Sequence, residues 1–521
     1  MPRRPMRMSE AAKAALATAL KKLRTDLQAP SGFPEPVLAA AEAVARAPRL
    51  PDKDATDLPL FTIDPPGSKD LDQAMYLERR PGGGFRVYYA IADVAAFVNA
   101  GDALDAEARK RIVTLYFPDG KVPLHPPVLS EGAASLLPNQ KAPALLWQHD
   151  LDAHGEVVTS SVSRALVRST ARLDYAAVQQ AIDAGTAAES VALLRDIGTL
   201  REAVEAERGG ISLSLPDQEV TVEDGSFRLS YRAALPVDGW NEQISLMTGM
   251  AAARMMLDGG GPGILRTQEQ APTHEVTRLR HIAQGLGIDW PHHVSYAELI
   301  RSLDPRRHRH AAFLHEAAGA LLLKSVYKSF RDHQHVPAQT VHAAIAAPYT
   351  HCTAPLRRLV DRYAGELCVA ASADREPPEW ALAALADLPS RMEKAKGNAA
   401  DRQSVDLVEA ALLMDRVGST FDAVVIDTDA ELAHPNPREG QVQLAEPAVL
   451  GRVASATVDL ELGASVRVRL ERADPAFPDR NKRVLFTLAQ DQDQDQDQDQ
   501  DQDQDQDQDQ DQDQDQDQRQ G

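Results

Sequence analysis

The 521-residue chain has only two cysteines, Cys352 and Cys368, which excludes a disulfide framework and a Cys-x-x-Cys metal knuckle. Aromatic residues are scarce at 5%, so any surface that works by stacking does so with few rings. No apolar run approaches the roughly 20 residues needed to cross a bilayer, and the opening MPRRPMRM leads into no secretory apolar stretch. A cytoplasmic protein with no membrane partner is expected. Net positive charge is also missing: 56 Lys and Arg face 77 Asp and Glu, a formal charge of −21. Taken whole, that total argues against a nucleic-acid binder, but it is unevenly placed. Residues 491–518 are an unbroken Asp-Gln repeat holding 14 of the acids, and residues 1–490 carry 55 basic against 63 acidic side chains, or −8.

What remains is an ordinary globular composition with material for about three domains. Residues 9–26 place Leu16, Leu20 and Leu23 at helical spacing, with Lys21, Lys22 and Arg24 on the other side. After a Pro/Gly-rich break, a second alanine-rich helix is expected near Val37–Ala45, making residues 1–57 a small helical module. A packing appendage and a nucleic-acid-binding helical pair both fit this pattern. From Leu58 the period becomes strand-like, with a PGGG turn between AMYLERR and FRVYYAIADVAAFV. Between about Tyr175 and Gly418 it becomes mostly helical, including residues 311–330 and 354–371, so the fold class is α+β. Residues 417–488 revert to short strands, as in a small OB-type β-barrel. Residues 489–521 are a tail whose Asp-Gln alternation cannot bury enough apolar surface to offset chain entropy, and disorder is expected.

The segment FTIDPPGSKDLDQ (61–73) gathers Asp64, Asp70 and Asp72 within nine residues. In an extended stretch Asp70 and Asp72 point to one side, and the Pro-Pro-Gly turn can return Asp64 beside them. Carboxylates held together repel unless a positive charge lies between them. Mg²⁺, which takes oxygen ligands and shares its shell with water and phosphate, suits such a cluster. On spacing alone a solvated acidic turn fits equally well.

The wider pattern is more specific. FTIDPPGSKDLDQAMYL, VYYAIADVAAFV, LYFPDGKVPLHPPVLSEGAASLLPN, WNEQISLMTGMAAARMM, GILRTQEQAP and PYTHCTAPLRRLVDRY together resemble, in order, the catalytic domain of the ribonuclease II (RNB) family of exoribonucleases. The resemblance covers about Leu58 to Glu366, with a less distinct extension to Gly418, and implies an RNB catalytic domain over 58–416 followed by an RNA-binding barrel over 417–488. It also implies 3′→5′ processive hydrolysis of single-stranded RNA to nucleoside 5′-monophosphates, with Mg²⁺ or Mn²⁺ held by an acidic quartet. The cold-shock-type barrels that usually precede the catalytic domain have no counterpart in residues 1–57.

By this resemblance Asp64, Asp70 and Asp72 match three acids of the quartet, with Asp72 the most activity-sensitive, and Gln73 stands at the fourth position where the family has Asp. One carboxylate fewer implies one well-held metal ion and a second that is weaker. Arg357 matches the arginine at the scissile phosphate, and Arg358 beside it is a candidate contact for backbone phosphate. Tyr116 matches a tyrosine that stacks on 3′-terminal nucleotides, and Glu242 a glutamate near the 3′ end that can accept a bond from a ribose hydroxyl. Gln243, Ala354 and Leu359 are further departures. They leave open a rival, an RNA-binding protein on an inactive RNB scaffold, and more remotely a phosphoesterase acting on small substrates. Asp93 reads as a buried hydrogen-bonded acid, and His292, His293, His308 and His310 as surface residues.

Overall fold

The computed structural model describes residues 8–212, 217–223, 226–232, 234–321, 323–430 and 435–489; the Asp-Gln repeat lies outside them. Two leading helices, α1 (Glu10–Asp26) and α2 (Glu35–Arg46), precede the first strands. In α1 the expected leucines Leu16, Leu20 and Leu23 are buried, while Lys21 and Lys22 are exposed. The following strands are β1 (Leu60–Ile63), β2 (Gln73–Arg79) and β3 (Phe85–Ala92), then helix α3 (Ala103–Arg111), the hairpin β4 (Leu115–Phe117) and β5 (Gly120–Val122), and the long strands β6 (Lys141–Leu151) and β7 (Val157–Leu173). Strands β1, β2, β3, β6 and β7 form a closed barrel in that order, with the parallel pair β1–β7 making the closure. Closure removes both sheet edges, and it fixes the end of β1, Ile63, opposite Leu173.

Period-two alternation in β3 and β6 buries both faces of these strands. Val87, Tyr89, Ile91, Leu145 and Trp147 pack into one core, whereas Ala90, Ala92, Ala144 and Leu146 pack into another shared with α2. The larger core also takes residues from α4 (Tyr175–Asp183), α5 (Glu189–Arg208) and α6 (Pro236–Asp258). A hairpin of β8 (Asp217–Glu223) and β9 (Ser226–Arg232) separates α5 from α6. Beyond α6 come β10 (Gly263–Thr267), α7 (Thr273–Gly285), α8 (Tyr296–Ser302), α9 (His308–Leu321), β11 (Val326–Phe330), and the short strands β12 (Val341–His342) and β13 (Ala347–Pro348). The helix expected over 311–330 therefore ends early. Val326 and Tyr327, a β-branched and an aromatic residue, begin a strand that pairs with β10, and this tertiary pairing overrides the alanine- and leucine-rich local pattern.

Helix α10 (Leu359–Ser372) is buried on every side from Leu359 to Ala370, and its charged residues are each paired. Arg362 donates to Asp105 at 2.6 Å, and Glu366 pairs with Arg164, which also holds the buried Asp93 at 2.8 Å. Asp93 is thus an ion-paired structural acid. Helices α11 (Glu379–Ala384), α12 (Leu388–Met392) and α13 (Gly397–Leu413) follow.

The chain divides into two compact units, one of residues 20–218 and 231–405, the other of residues 1–19, 219–230 and 406–521. The second contains a closed five-stranded barrel of β14 (Thr420–Ala430), β15 (Pro435–Leu444), β16 (Leu450–Ala454), β17 (Ser465–Ala473) and β18 (Val484–Leu488), in the order β14-β15-β16-β18-β17. This is the C-terminal barrel expected from the short strands of 417–488. Phe486 is fully buried in it, with Phe421 edge-on to the ring, so these two of its few aromatics serve the core.

One glycine governs how α6 meets the segment after β13. A Cβ on Gly249 would lie 2.6 Å from the Thr350 carbonyl oxygen and would also strike the Tyr349 ring, while the Thr350 N–H donates to the Gly249 carbonyl at 3.2 Å. Only glycine permits this approach. Gly249→Ala is therefore expected to cost about 1–3 kcal/mol in denaturant unfolding, and to lower activity as well, because the displaced backbone leads directly to Arg357.

Candidate active site

The acidic loop begins where β1 stops. The Asp64 N–H donates to the Leu173 carbonyl at 3.2 Å, so barrel closure sets its position, and Gly67 takes the positive φ of 85° that the turn requires. Leu71 then plugs fully into the core, with its N–H on Ser135 Oγ at 2.9 Å and its carbonyl on the Leu136 N–H at 3.0 Å. Burying Leu71 turns its two neighbours, Asp70 and Asp72, the other way, as period-two alternation demands.

Asp72 sits immediately before β2 and is almost wholly buried. Its Oδ1 accepts from the Leu356 N–H at 2.8 Å, and its Oδ2 lies 3.6 Å from Nε of the half-exposed Arg357. Burial raises its pKa to about 7 against the lowering influence of Arg357. Burial likewise raises Asp64 to about 6, with Arg357 opposing and the Asp70 anion adding to the rise. Two desolvated carboxylates thus share one arginine, a charge balance that would accept a cation.

Asp70 has a different environment. Lys121 Nζ on β5 lies 2.8 Å from Asp70 Oδ1 and 3.0 Å from Glu131, and the Tyr116 hydroxyl donates to Asp70 Oδ2 at 3.3 Å. Burial works against the Lys121 charge, but the bonds to Asp70 and Glu131 prevail and hold its pKa above the ordinary value. Tyr116 remains 39% exposed. At the neighbouring position, the Gln73 amide is fixed at both ends: Nε2 donates to the Thr353 carbonyl at 2.7 Å, and Oε1 accepts from the Tyr89 hydroxyl at 2.8 Å. Among the described residues no three His, Cys, Asp or Glu side chains converge closely enough to hold a metal ion. The donor chemistry is that of an ion which takes one or two carboxylates and completes its shell with water and phosphate, as Mg²⁺ does, with Asp72 and Asp64 as the candidate carboxylates.

The segment bearing Arg357 is tied down at each step. Ser245 and Thr353 hydroxyls are 2.9 Å apart, the Ala354 N–H donates to Asp361 at 2.7 Å, and the Thr114 N–H donates to the Arg357 carbonyl at 3.0 Å. Arg358 forms a two-pronged pair with the buried Asp361, at 2.8 and 3.0 Å. Its guanidinium is therefore committed to the first turn of α10, whereas Arg357 projects to the carboxylates. Cys352 and Cys368 are buried thiols whose pKa values burial raises, which leaves both unreactive.

Glu242 is exposed in the first turns of α6, and its neighbour Gln243 faces the other way, onto Glu205. Asn241 donates to the Tyr175 hydroxyl at 3.1 Å, and that hydroxyl, raised to about 12 chiefly by burial, also feels the Asp64 anion. Lys121, Glu131, Tyr175 and Asp361 were not singled out by motif. Their signal is pairing across the fold, although Lys121 and Glu131 lie inside the LYFPDGKVPLHPPVLSEGAASLLPN stretch.

The RNB domain model matches residues 52–371, and the model for the RNase II-type exonuclease C-terminal S1 domain matches residues 419–486. Ribonuclease R of Escherichia coli is 26% identical over 424 residues, covering 76% of this chain and 51% of that protein, so the chain spans about half the length of this curated relative. The solved Mycoplasma genitalium RNase R in complex with ribose methylated single-stranded RNA superposes with a TM-score of 0.78 at 20% identity, over 91% of this chain and 78% of that one. Yeast Ssd1, described as a pseudonuclease, gives 0.62 at 18%, over 77% and 50%.

The raised acids make the metal-free site a stability cost that depends on pH. Asp72 binds a proton more tightly folded than unfolded, so its contribution is most favourable below pH about 4 and is lost as pH rises through about 7. In EDTA, Asp72→Asn is expected to be more stable than wild type at pH 8, by on the order of 1–4 kcal/mol, with the difference vanishing near pH 4. Thermal melts across that range check it.

Proposed function

The chain belongs to the RNB family, and from that premise we propose that it is a Mg²⁺-dependent processive exoribonuclease releasing nucleoside 5′-monophosphates from the 3′ end of single-stranded RNA. The observation that carries this reading is the juxtaposition of Arg357 with Asp72, from distant parts of the chain, with the charge of Arg357 reaching Asp64 of the same acidic loop as well. Mg²⁺, or Mn²⁺, bound on Asp64 and Asp72 would lower the pKa of a water and offset charge on the scissile phosphate.

The protein's own groups have separable tasks. Arg357, half-exposed and held by its backbone carbonyl, presents a guanidinium to the phosphoryl oxygens as their charge grows. The Leu356 N–H keeps Asp72 Oδ1 in place and leaves Oδ2 toward Arg357. Tyr116, partly exposed and with its hydroxyl on Asp70, offers a ring face to a terminal base. Glu242, exposed beside Asn241, would accept from a ribose hydroxyl.

A second reading, RNA binding without hydrolysis, is favoured by the Gln73 amide and by Lys121 on Asp70. Incubating the protein with 3′- and 5′-labelled RNA, with and without EDTA, separates the two. Mononucleotides from the 3′ end that vanish on chelation are expected; retention of intact RNA with Mg²⁺ present would establish the second reading. Asp72→Asn should abolish release while RNA affinity stays within a few-fold, and Arg357→Ala should lower kcat by about 10²–10³-fold. Tyr116→Ala should weaken RNA binding by about 1–3 kcal/mol, measured by filter binding in EDTA.

A further inference from the structure

The Asp70 carboxylate is satisfied without any metal. An ammonium lies 2.8 Å from Oδ1 and a hydroxyl donates to Oδ2 at 3.3 Å. Lys121 is held in place from behind by Glu131 at 3.0 Å and is only about one quarter exposed. The hairpin that carries it is itself fixed, since Arg24 of α1 sits 4.3 Å over the Phe117 ring and pairs with Asp119. This is a braced ammonium, not a mobile surface lysine.

Gln73 shows the same design from the other side. Its Nε2 donates to a backbone carbonyl, which forces Oε1 toward the Tyr89 hydroxyl. A carboxylate oxygen placed against the Thr353 carbonyl would repel it, so the surroundings of position 73 are built for a neutral amide. Two divalent cations bring a charge of +4. Against them stand three carboxylates, one already neutralised by Lys121 and the other two partly offset by Arg357. Asp72 is almost wholly buried and, among the described residues, its one ion-pair contact is the half-exposed Arg357 at 3.6 Å, and Asp64 of the same loop has no ammonium on it as Asp70 does.

We infer that Lys121 takes the place of a second divalent cation at Asp70, so that this centre carries a single metal ion on Asp64 and Asp72. The inference rests on the metal-dependent exoribonuclease reading and specifies the form of its site. Lys121 is a positioning residue: it fixes Asp70 and supplies constant positive charge, and Glu131 holds it there.

Counting bound ions tests this without reference to turnover. Mn²⁺ is titrated into the full-length chain and followed by electron paramagnetic resonance, with the Asp64→Asn/Asp72→Asn double variant as reference, since it retains whatever the acidic repeat binds. The wild type should bind one ion above the reference, and Lys121→Arg should also bind one. Lys121→Gln, which uncovers Asp70, should bind a second. Thermal melts establish that each variant is folded. Two ions in the wild type, or a count of one in folded Lys121→Gln, would overturn the inference while leaving the exoribonuclease reading intact. No ion above the reference, with no mononucleotide release, would overturn that reading and the inference with it.

Discussion

The bond from the Leu356 N–H to Asp72, spanning 284 positions of sequence, is the contact on which the candidate site depends. It joins the start of β2, fixed by barrel closure, to the segment that enters α10. Everything chemical in the site follows from this junction: Arg357 is the next residue on one side, and Asp70 and Gln73 flank Asp72 on the other. An ion pair alone would not hold such a junction, because a half-exposed arginine at 3.6 Å gains little in water. A buried backbone donor does, since breaking it strands a polar group in the core. Leu71 and Gly249 act on either side of the same joint, one by plugging the acidic loop into the barrel and the other by letting the Tyr349–Thr350 backbone rest on α6.

Electrostatically the site has two halves. Asp72 is buried and Asp64 partly so, and burial raises the pKa of both against the opposing charge of Arg357. Asp70 is fully provided for by Lys121 and Tyr116. Arg358, adjacent to the arginine facing Asp72, is consumed by Asp361 and so stiffens the turn that aims its neighbour. Consecutive arginines in one motif thus do unlike work, one through solvent-facing charge and the other through internal bonding.

Much of this was legible in the sequence because it is local. Leucines at helical spacing gave α1, the PGGG turn gave the β2–β3 hairpin, and short alternating runs gave the C-terminal barrel. The acidic loop was legible through its spacing and its ordered companions. What escaped is non-local. Strand β11 looked helical because its partner β10 lies some 60 residues away, and barrel closure leaves no mark on any one strand. Lys121 read as an unremarked turn residue, since nothing in FPDGKVP states that Asp70 is within reach. The split between Arg357 and Arg358 was likewise invisible, depending on where α10 begins and on the burial of Asp361.

The seating of Arg24 on Phe117 links the leading helix to the geometry of the candidate site. A hairpin of two three-residue strands is too short to be rigid alone, yet it bears both Tyr116 and Lys121. The C-terminal turn of α1 acts as a splint for it, so the leading helix belongs to the working parts of the candidate site. Damage to that splint would register first as a loosened placement of Tyr116 and Lys121, with the barrel still folded.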